Sequence, residues 1–376
     1  VDLDLSATDE FRAEVREWLR DHVPATPLPS LETAPGFAAH RAWERELHAA
    51  RLSVVSWPEE YGGRNATPLE WLVFEEEYYA AGAPGRVTQN GINLLAPTLL
   101  VNGTPAQRER LLPPMASGEV IWAQAWSEPG AGSDLASLRS TATRVADGWM
   151  LNGQKTWSSR AAFADWGFGP FRSDPAAERH RGLTYFVFPL DAAGITRRPI
   201  GRLDGKPAFA ELFFDEVFVP DADVIGNPGD GWRVAMSTTG SERGLTLRSP
   251  GRFMAAARDL VSLWQRVGDR GDTALGERVA DAWIKAHAYR LKGFETISRA
   301  ADPGAASSVN KVFWSELDIA LHETGLDLLG PDGELSDSEW AEGYVFSLAG
   351  PVYAGTNEIQ RNVIAERILG LPRGSR

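Results

Sequence analysis

The sequence has no cysteine, which excludes disulfides, thiolate metal sites and cysteine nucleophiles; no metal is expected. It has no apolar run near the ~20 residues that span a bilayer, so no membrane partner is expected either. A basic surplus is also missing. Its 38 Lys and Arg face 51 Asp and Glu, giving a net charge of −13, which argues against nucleic acid as a partner. The opening VDLDLSATDEFRAEV lacks the basic-then-apolar order of a secretory signal, and a cytoplasmic protein is expected. It lacks an initial Met as well, so the first residues of the natural chain are expected upstream. No repeat of fixed period and no low-complexity segment is present.

What remains is 376 residues, 43% apolar and 24% charged, a globular composition long enough for two or three domains. Three zones differ in period. Residues 1–118 read as an N-terminal α-helical domain: TDEFRAEVREWLRDHV sets Phe11, Val15, Trp18 and Leu19 on one face, and Pro68 and Thr104-Pro105 sit at first-turn positions. Residues 119–229 change to period two and read as a middle antiparallel β domain. There SLRSTATRVADGWMLNGQKTWSS forms a hairpin turning at Asp147-Gly148, and GLTYFVFPLD, AGITRRPI and AFAELFFDEVFVP supply further strands. Residues 230–376 return to helical spacing and read as a C-terminal four-helix bundle. The last helix is expected from Asn357 to Leu369, stopped by Gly370 and Pro372. The fold class is α+β, in the order α, β, α.

The densest chemical signal is WAQAWSEPGAGSD, residues 122–134. Pro129, Gly130 and Gly132 make a turn that exposes backbone N–H groups to anionic oxygens, and Ser127 and Ser133 add hydroxyls. Alone, such a loop is more simply an ordinary Gly/Pro turn. It is followed by GQKTWSS, which brings Trp157 and Ser159. An aromatic to cover a planar ring and a hydroxyl to bond a ring nitrogen suit an isoalloxazine. Most of the fourteen Trp are more simply core and interface residues.

With these motifs, the Glu242-Arg243 segment and the GTNEIQR terminus, the chain resembles the acyl-CoA dehydrogenase family of flavoproteins over nearly its whole length. The resemblance implies non-covalent FAD, α,β-dehydrogenation of an acyl-CoA or acyl-carrier thioester, and an electron acceptor such as electron-transfer flavoprotein. By position it implies that Gln124, Ala125, Trp126, Ser127 and Gly132 line the flavin, with Ser133 where cofactor and substrate meet. Trp157 and Ser159 take the ring-covering and N5-bonding places. Thr356, Asn357 and Glu358 meet the cofactor phosphates at a helix N-terminus, though a carboxylate sits less well there than a neutral residue.

One slot is empty. Many members carry their catalytic carboxylate immediately before the Gly-Thr of the C-terminal turn, where this chain has Ala354. A minority place it on a helix of the C-terminal domain just before an Arg, which here is Glu242-Arg243. Glu242 is therefore the expected base. The plainer alternative makes it a helix-start carboxylate paired with Arg. Arg243, Ala354 and Gly355 are expected around the thioester, with the turn's backbone N–H polarising its oxygen.

Two departures bear on assembly. No Arg-x-x-Phe-Gly segment is present, and LDLLGPDGEL places Asp327 and Pro331 where relatives have a Gln-x-Leu-Gly-Gly turn. Both features resemble actinobacterial members built from unequal subunits, including those acting on steroid side-chain thioesters. A homo- or hetero-oligomer, dimer or tetramer, is expected. A partner subunit of a heteromeric dehydrogenase, a flavin monooxygenase and a non-enzymatic scaffold are the alternatives.

Overall fold

The computed structural model describes residues 6–243, 248–298, 305–335 and 338–373, the side chains of Ser6, residues 240–243 and Ser298 excepted. The chain begins with helices α1 (Asp9–His22), α2 (Ala34–Ala49), α3 (Pro68–Ala80), α4 (Ala96–Asn102) and α5 (Pro105–Ala116). Strands follow: β1 (Trp122–Gln124), β2 (Thr141–Val145), β3 (Gly148–Ser159), β4 (Trp166–Arg172), β5 (Leu183–Pro189), β6 (Ile195–Ile200), β7 (Phe209–Pro220) and β8 (Val224–Ile225). Helices then return as α6 (Gly231–Arg243), α7 (Pro250–Val267), α8 (Thr273–Ser298), α9 (Ala306–Leu329), α10 (Glu339–Ser347) and α11 (Asn357–Val363). The order is α, β, α.

Local chemistry explains the helix starts. Thr67 and Thr104 each accept the third backbone N–H of their helix, while Glu70 and Gln107 reach back to the cap amide. Two orphan donors are thereby satisfied at each start. Pro68 and Pro105 occupy the first turn, where a missing N–H costs nothing.

Contacts group the chain into two compact units that cut across chain order: residues 1–25, 66–83 and 243–376 form one, and residues 26–65 and 84–242 the other. In the helical unit, Phe253, Ala257 and Leu260 of α7 meet Val279, Ala282, Ala286 and Tyr289 of α8 and Trp314, Leu317 and Leu321 of α9. Each set recurs every three or four residues, as one buried helix face requires. Trp71 of α3 packs against this core. Arg12 and Arg16 of α1 pair with Glu77 of α3.

The other unit is built on a sheet ordered β6-β7-β3-β2-β4-β5-β8, with β1 added beside β4. Its long ladders are antiparallel; β1 runs parallel to β4, and β2 meets β4 through a single parallel pair. At β4 and β5 both faces are buried. Phe186 and Phe188 of β5 join Trp149, Leu151, Phe171 and Phe214 on one side. Tyr185 and Val187 join Trp122, Phe168 and residues of α4 and α5 on the other. This double burial explains why LTYFVFP reads as a continuous apolar run instead of an alternation. Thr238 of α6 sits against Thr98 (2.7 Å) and Tyr185 (3.4 Å), which roots that helix in the same unit.

The β3–β7 ladder slips twice, between Leu151 and Gly153 and between Lys155 and Ser158. At the second slip Lys155 pairs with Leu212 and Ser158 with Ala210, so β3 carries one extra residue. A bulge of this kind re-aims the side chains beside it.

Candidate active site

β1 delivers Gln124, half-buried, at its last position, and the loop that follows is tied down at Ala125, Trp126, Ser127, Glu128 and Ala131. The Ala125 N–H donates to Phe168 O at 2.8 Å. The Trp126 indole donates to the Tyr185 hydroxyl at 3.1 Å. Ser127 O accepts the Thr156 N–H at 2.8 Å, and Glu128 and Ala131 exchange two backbone bonds of 3.0 Å each. Among the described residues the Ser127 N–H has no hydrogen-bond partner. Ser133 and the two glycines are on or near the surface. A Cβ at Gly130 or Gly132 would meet nothing within 4 Å, so neither glycine is demanded by the fold's own contacts.

The β3 bulge supplies the other half of this surface. Trp157 is held at φ 60°, a left-handed conformation costly to a bulky residue. Yet 60% of it is exposed, and its described ring contact is edge-on to Phe209 at 5.8 Å. Ser159 is half-buried, and the buried Ser158 Oγ has no hydrogen-bond partner among the described residues. An outward flat aromatic, an unbonded amide, hydroxyls and two glycines facing open space are a donor set that fits a planar ring with a polar edge.

Beneath them lie Lys155, fully buried, and Glu128, 8% exposed, at 2.9 Å. Burial alone would raise the Glu128 carboxyl, but the Lys155 charge and the bonds it accepts from residues 139 and 140 hold it below its usual range.

In the helical unit, the turn before α11 carries two consecutive left-handed residues, Ala354 (φ 56°) and Gly355 (φ 77°). Gln360 Nε2 donates to Ala354 O at 2.8 Å and to Gly355 O at 3.3 Å. Lys311 and Ser315 donate to Asn357 Oδ1 at 2.8 and 3.0 Å. Arg248 Nε donates to the Tyr353 hydroxyl at 2.8 Å, its guanidinium lying over the rings of Tyr353, Phe346 and Trp314. Ala354 is buried, and among the described residues the N–H groups of Ala354 and Gly355 have no acceptor. Thr356 caps α11 by accepting the Ile359 N–H at 3.3 Å. The carboxyl of the exposed Glu358 is held below its usual range by its own amide and then by the Thr356 hydroxyl.

Glu242 and Arg243 are the last described residues of α6; their side chains lie outside the described residues. The helix-start alternative for Glu242 is corrected by this placement. Glu242 stands eleven residues beyond the first residue of α6, Gly231.

Sequence reasoning missed Glu128, Lys155, Arg248 and Gln360. Lys155 had a signal, because it falls in step with Trp149 and Leu151 on the inward face of β3. Arg248 had none, since its aromatic neighbours come from distant helices.

Family models for the N-terminal, middle and C-terminal domains of acyl-CoA dehydrogenases match residues 6–119, 123–217 and 229–369. The chain belongs to the acyl-CoA dehydrogenase family. It is 42% identical over 384 residues to the Mycobacterium tuberculosis acyl-CoA dehydrogenase IpdE1, covering 97% of this chain and 98% of that one. Among solved structures it is similar to the ChsE4-ChsE5 complex from Mycobacterium tuberculosis (TM-score 0.85, 29% identity, 98% of both chains). It is also similar to the Tcur3481-Tcur3483 steroid acyl-CoA dehydrogenase (TM-score 0.86, 28% identity, 98% of both). Acyl-CoA dehydrogenases are flavoprotein oxidoreductases of lipid metabolism that act on CH–CH groups, and this chain has their three-domain architecture. Among the described residues no helix is long and apolar enough to cross a membrane, and no group of three His, Asp or Glu could hold a metal ion.

Proposed function

We propose that this acyl-CoA dehydrogenase uses FAD to convert an acyl thioester, on coenzyme A or an acyl carrier protein, to its 2-enoyl thioester. The observation that carries the reading is Trp157, a large aromatic kept exposed and left-handed beside outward-facing donors. Strain stored at one exposed residue is a mark of a binding site. In this reading Gln124, Ala125, Trp126, Ser127, Gly132, Trp157 and Ser159 hold the flavin ring, Ser133 adjoins the substrate arm, and Thr356 and Glu358 lie toward the phosphates. FAD, when bound, supplies the acceptor for the hydride that leaves the β-carbon.

The remaining chemistry belongs to the chain. The α-proton of a thioester is weakly acidic, and Glu242 accepts it as the positioned base, a contribution of about 10²–10⁴-fold in rate. The unbonded amides of the Ala354–Gly355 turn donate to the thioester oxygen as negative charge grows there. Ala354 keeps that donor while lacking a carboxylate, so the base and the oxyanion donor come from different elements. In this reading Arg243, next in sequence to the base, serves the thioester arm. The α-carbon loses a proton and the β-carbon a hydride, leaving the double bond; the electrons pass on to a separate acceptor such as electron-transfer flavoprotein. A cytoplasmic setting belongs to the same proposal.

Purified chain loaded with FAD and mixed anaerobically with a panel of acyl-CoAs tests this. Bleaching of the visible flavin band by some member of the panel, with formation of its enoyl-CoA, is expected; no bleaching by any thioester contradicts the reading. A second reading, in which the chain is one subunit of a heteromeric dehydrogenase, draws on the two-chain names of its structural relatives. Protein that loses FAD alone and regains it with a second gene product supports it.

A further inference from the structure

We propose that the buried Lys155–Glu128 pair is a positioning device, which sets the backbone of the flavin-facing loop and the β3 bulge against each other. The proposal rests on reading that surface as the flavin site.

Lys155 lies mid-strand with no solvent exposure. Its three ammonium protons have three acceptors: Glu128 Oε1 at 2.9 Å, Pro170 O at 2.9 Å and Trp126 O at 3.4 Å. The Phe171 ring closes the remaining side at 4.6 Å. Glu128 is equally committed. Its Oε1 also accepts the Ser140 N–H at 2.9 Å, and its Oε2 the Arg139 N–H at 2.6 Å. One ion pair therefore ties together the end of the loop's first limb, its tight turn, the entry to β2, strand β4 and the bulge.

The consequence for the surface is geometric. A trans peptide points its C=O and its N–H in opposite directions. With the Trp126 carbonyl turned inward to Lys155, the Ser127 N–H must turn outward, and that is the amide without a partner. Two residues beyond Lys155 stands Trp157, whose left-handed backbone follows from the extra residue between Lys155 and Ser158.

Fold stability alone does not explain the pair. Taking two charges out of water costs several kcal/mol, and apolar residues of like volume in such sites often serve as well or better. What an apolar pair cannot do is orient three carbonyl and carboxylate acceptors and two amides. Position is what the pair supplies.

The test is the double variant Lys155→Met/Glu128→Gln, which removes both charges and keeps side-chain length. In FAD-free protein, hydrogen exchange at residues 126–133 and 155–159 is expected to rise at least tenfold over that of β5 and β7, with the unfolding midpoint near wild type. FAD is expected to bind at least tenfold more weakly, with its fluorescence incompletely quenched because Trp157 is no longer held. Unchanged exchange together with unchanged FAD affinity and quenching overturns the proposal. So does failure of both the double variant and Glu128→Gln to fold, which would make the pair a support of the sheet as a whole. The exchange measurement needs no cofactor, so a wild-type chain that binds no FAD defeats the flavin reading without deciding this one.

Discussion

Replacing Trp157 by glycine separates the cost of this residue to the fold from its value to the ligand. About two-fifths of the side chain is covered, some 60–100 Å² of a side chain that buries 150–250 Å² in full. At ~25 cal/mol per Å² its removal costs about 1.5–2.5 kcal/mol. Glycine adds about 0.4–1 kcal/mol through the freer unfolded chain. Against this, the φ of 60° ceases to be strained, which returns about 1–2 kcal/mol. The FAD-free variant is thus expected to lose only about 1 kcal/mol, well short of the 3–5 kcal/mol typical of truncating a core Trp. Ligand binding is expected to suffer more: an aromatic stacking platform contributes about 1–3 kcal/mol, or about 5- to 150-fold in Kd. Denaturant unfolding of the FAD-free protein and an FAD titration by fluorescence quenching read the two quantities separately. A loss of 3 kcal/mol or more in the fold with FAD affinity unchanged would refute the reasoning and make Trp157 a structural residue.

Gly132→Val should leave the FAD-free melting temperature within a degree or two, since its Cβ meets nothing within 4 Å, while blocking backbone approach to the ligand; full-occupancy FAD in the purified variant would count against the loop. Arg252→Met should destabilise by about 3–5 kcal/mol, because it strands Asp318, 1% exposed, from its partner at 2.8 Å. The pH dependence has a definite sign. Burial pushes the Asp318 carboxyl up, but Arg252 and His322 outweigh it and hold it well below the usual range. The pair's stabilisation is therefore fully present above the ordinary carboxylate pKa and lost as pH falls below it toward the folded value. Wild type should lose stability on acidification through that window and the Arg252→Met variant much less, as denaturant titrations between pH 3 and 7 would show; parallel curves would contradict the assignment.

The readable parts of the chain were those whose cause is local. The helix starts at Pro68 and at Thr104-Pro105 and the β2–β3 hairpin follow from neighbouring residues. Strand β4 was hidden because WGFGPFR looks like a turn; its glycines are there because a Cβ at Gly167 would strike Phe188 and one at Gly169 the Ala125 carbonyl. The grouping of α1 and α3 with the C-terminal helices was equally invisible, since periodicity shows that a face is buried but not against what. The loop at 122–134 announced itself by composition. The strain at Trp157 did not, because it arises from a register mismatch between β3 and β7 that neither strand shows alone. The last helix begins at Asn357 as expected, then widens into a π-turn over Ile364–Ile368, beyond the reach of spacing arguments.

The claim that the base stands on α6 while Ala354 supplies only a backbone donor is tested most directly by the rate of anaerobic flavin reduction in Glu242→Gln. The amide keeps the size of the side chain but cannot accept the α-proton. With a thioester that reduces wild type, the rate is predicted to fall by at least ~10²-fold while FAD content and thioester binding persist. Reduction at the wild-type rate would contradict the account and assign the proton to another residue or to a partner chain.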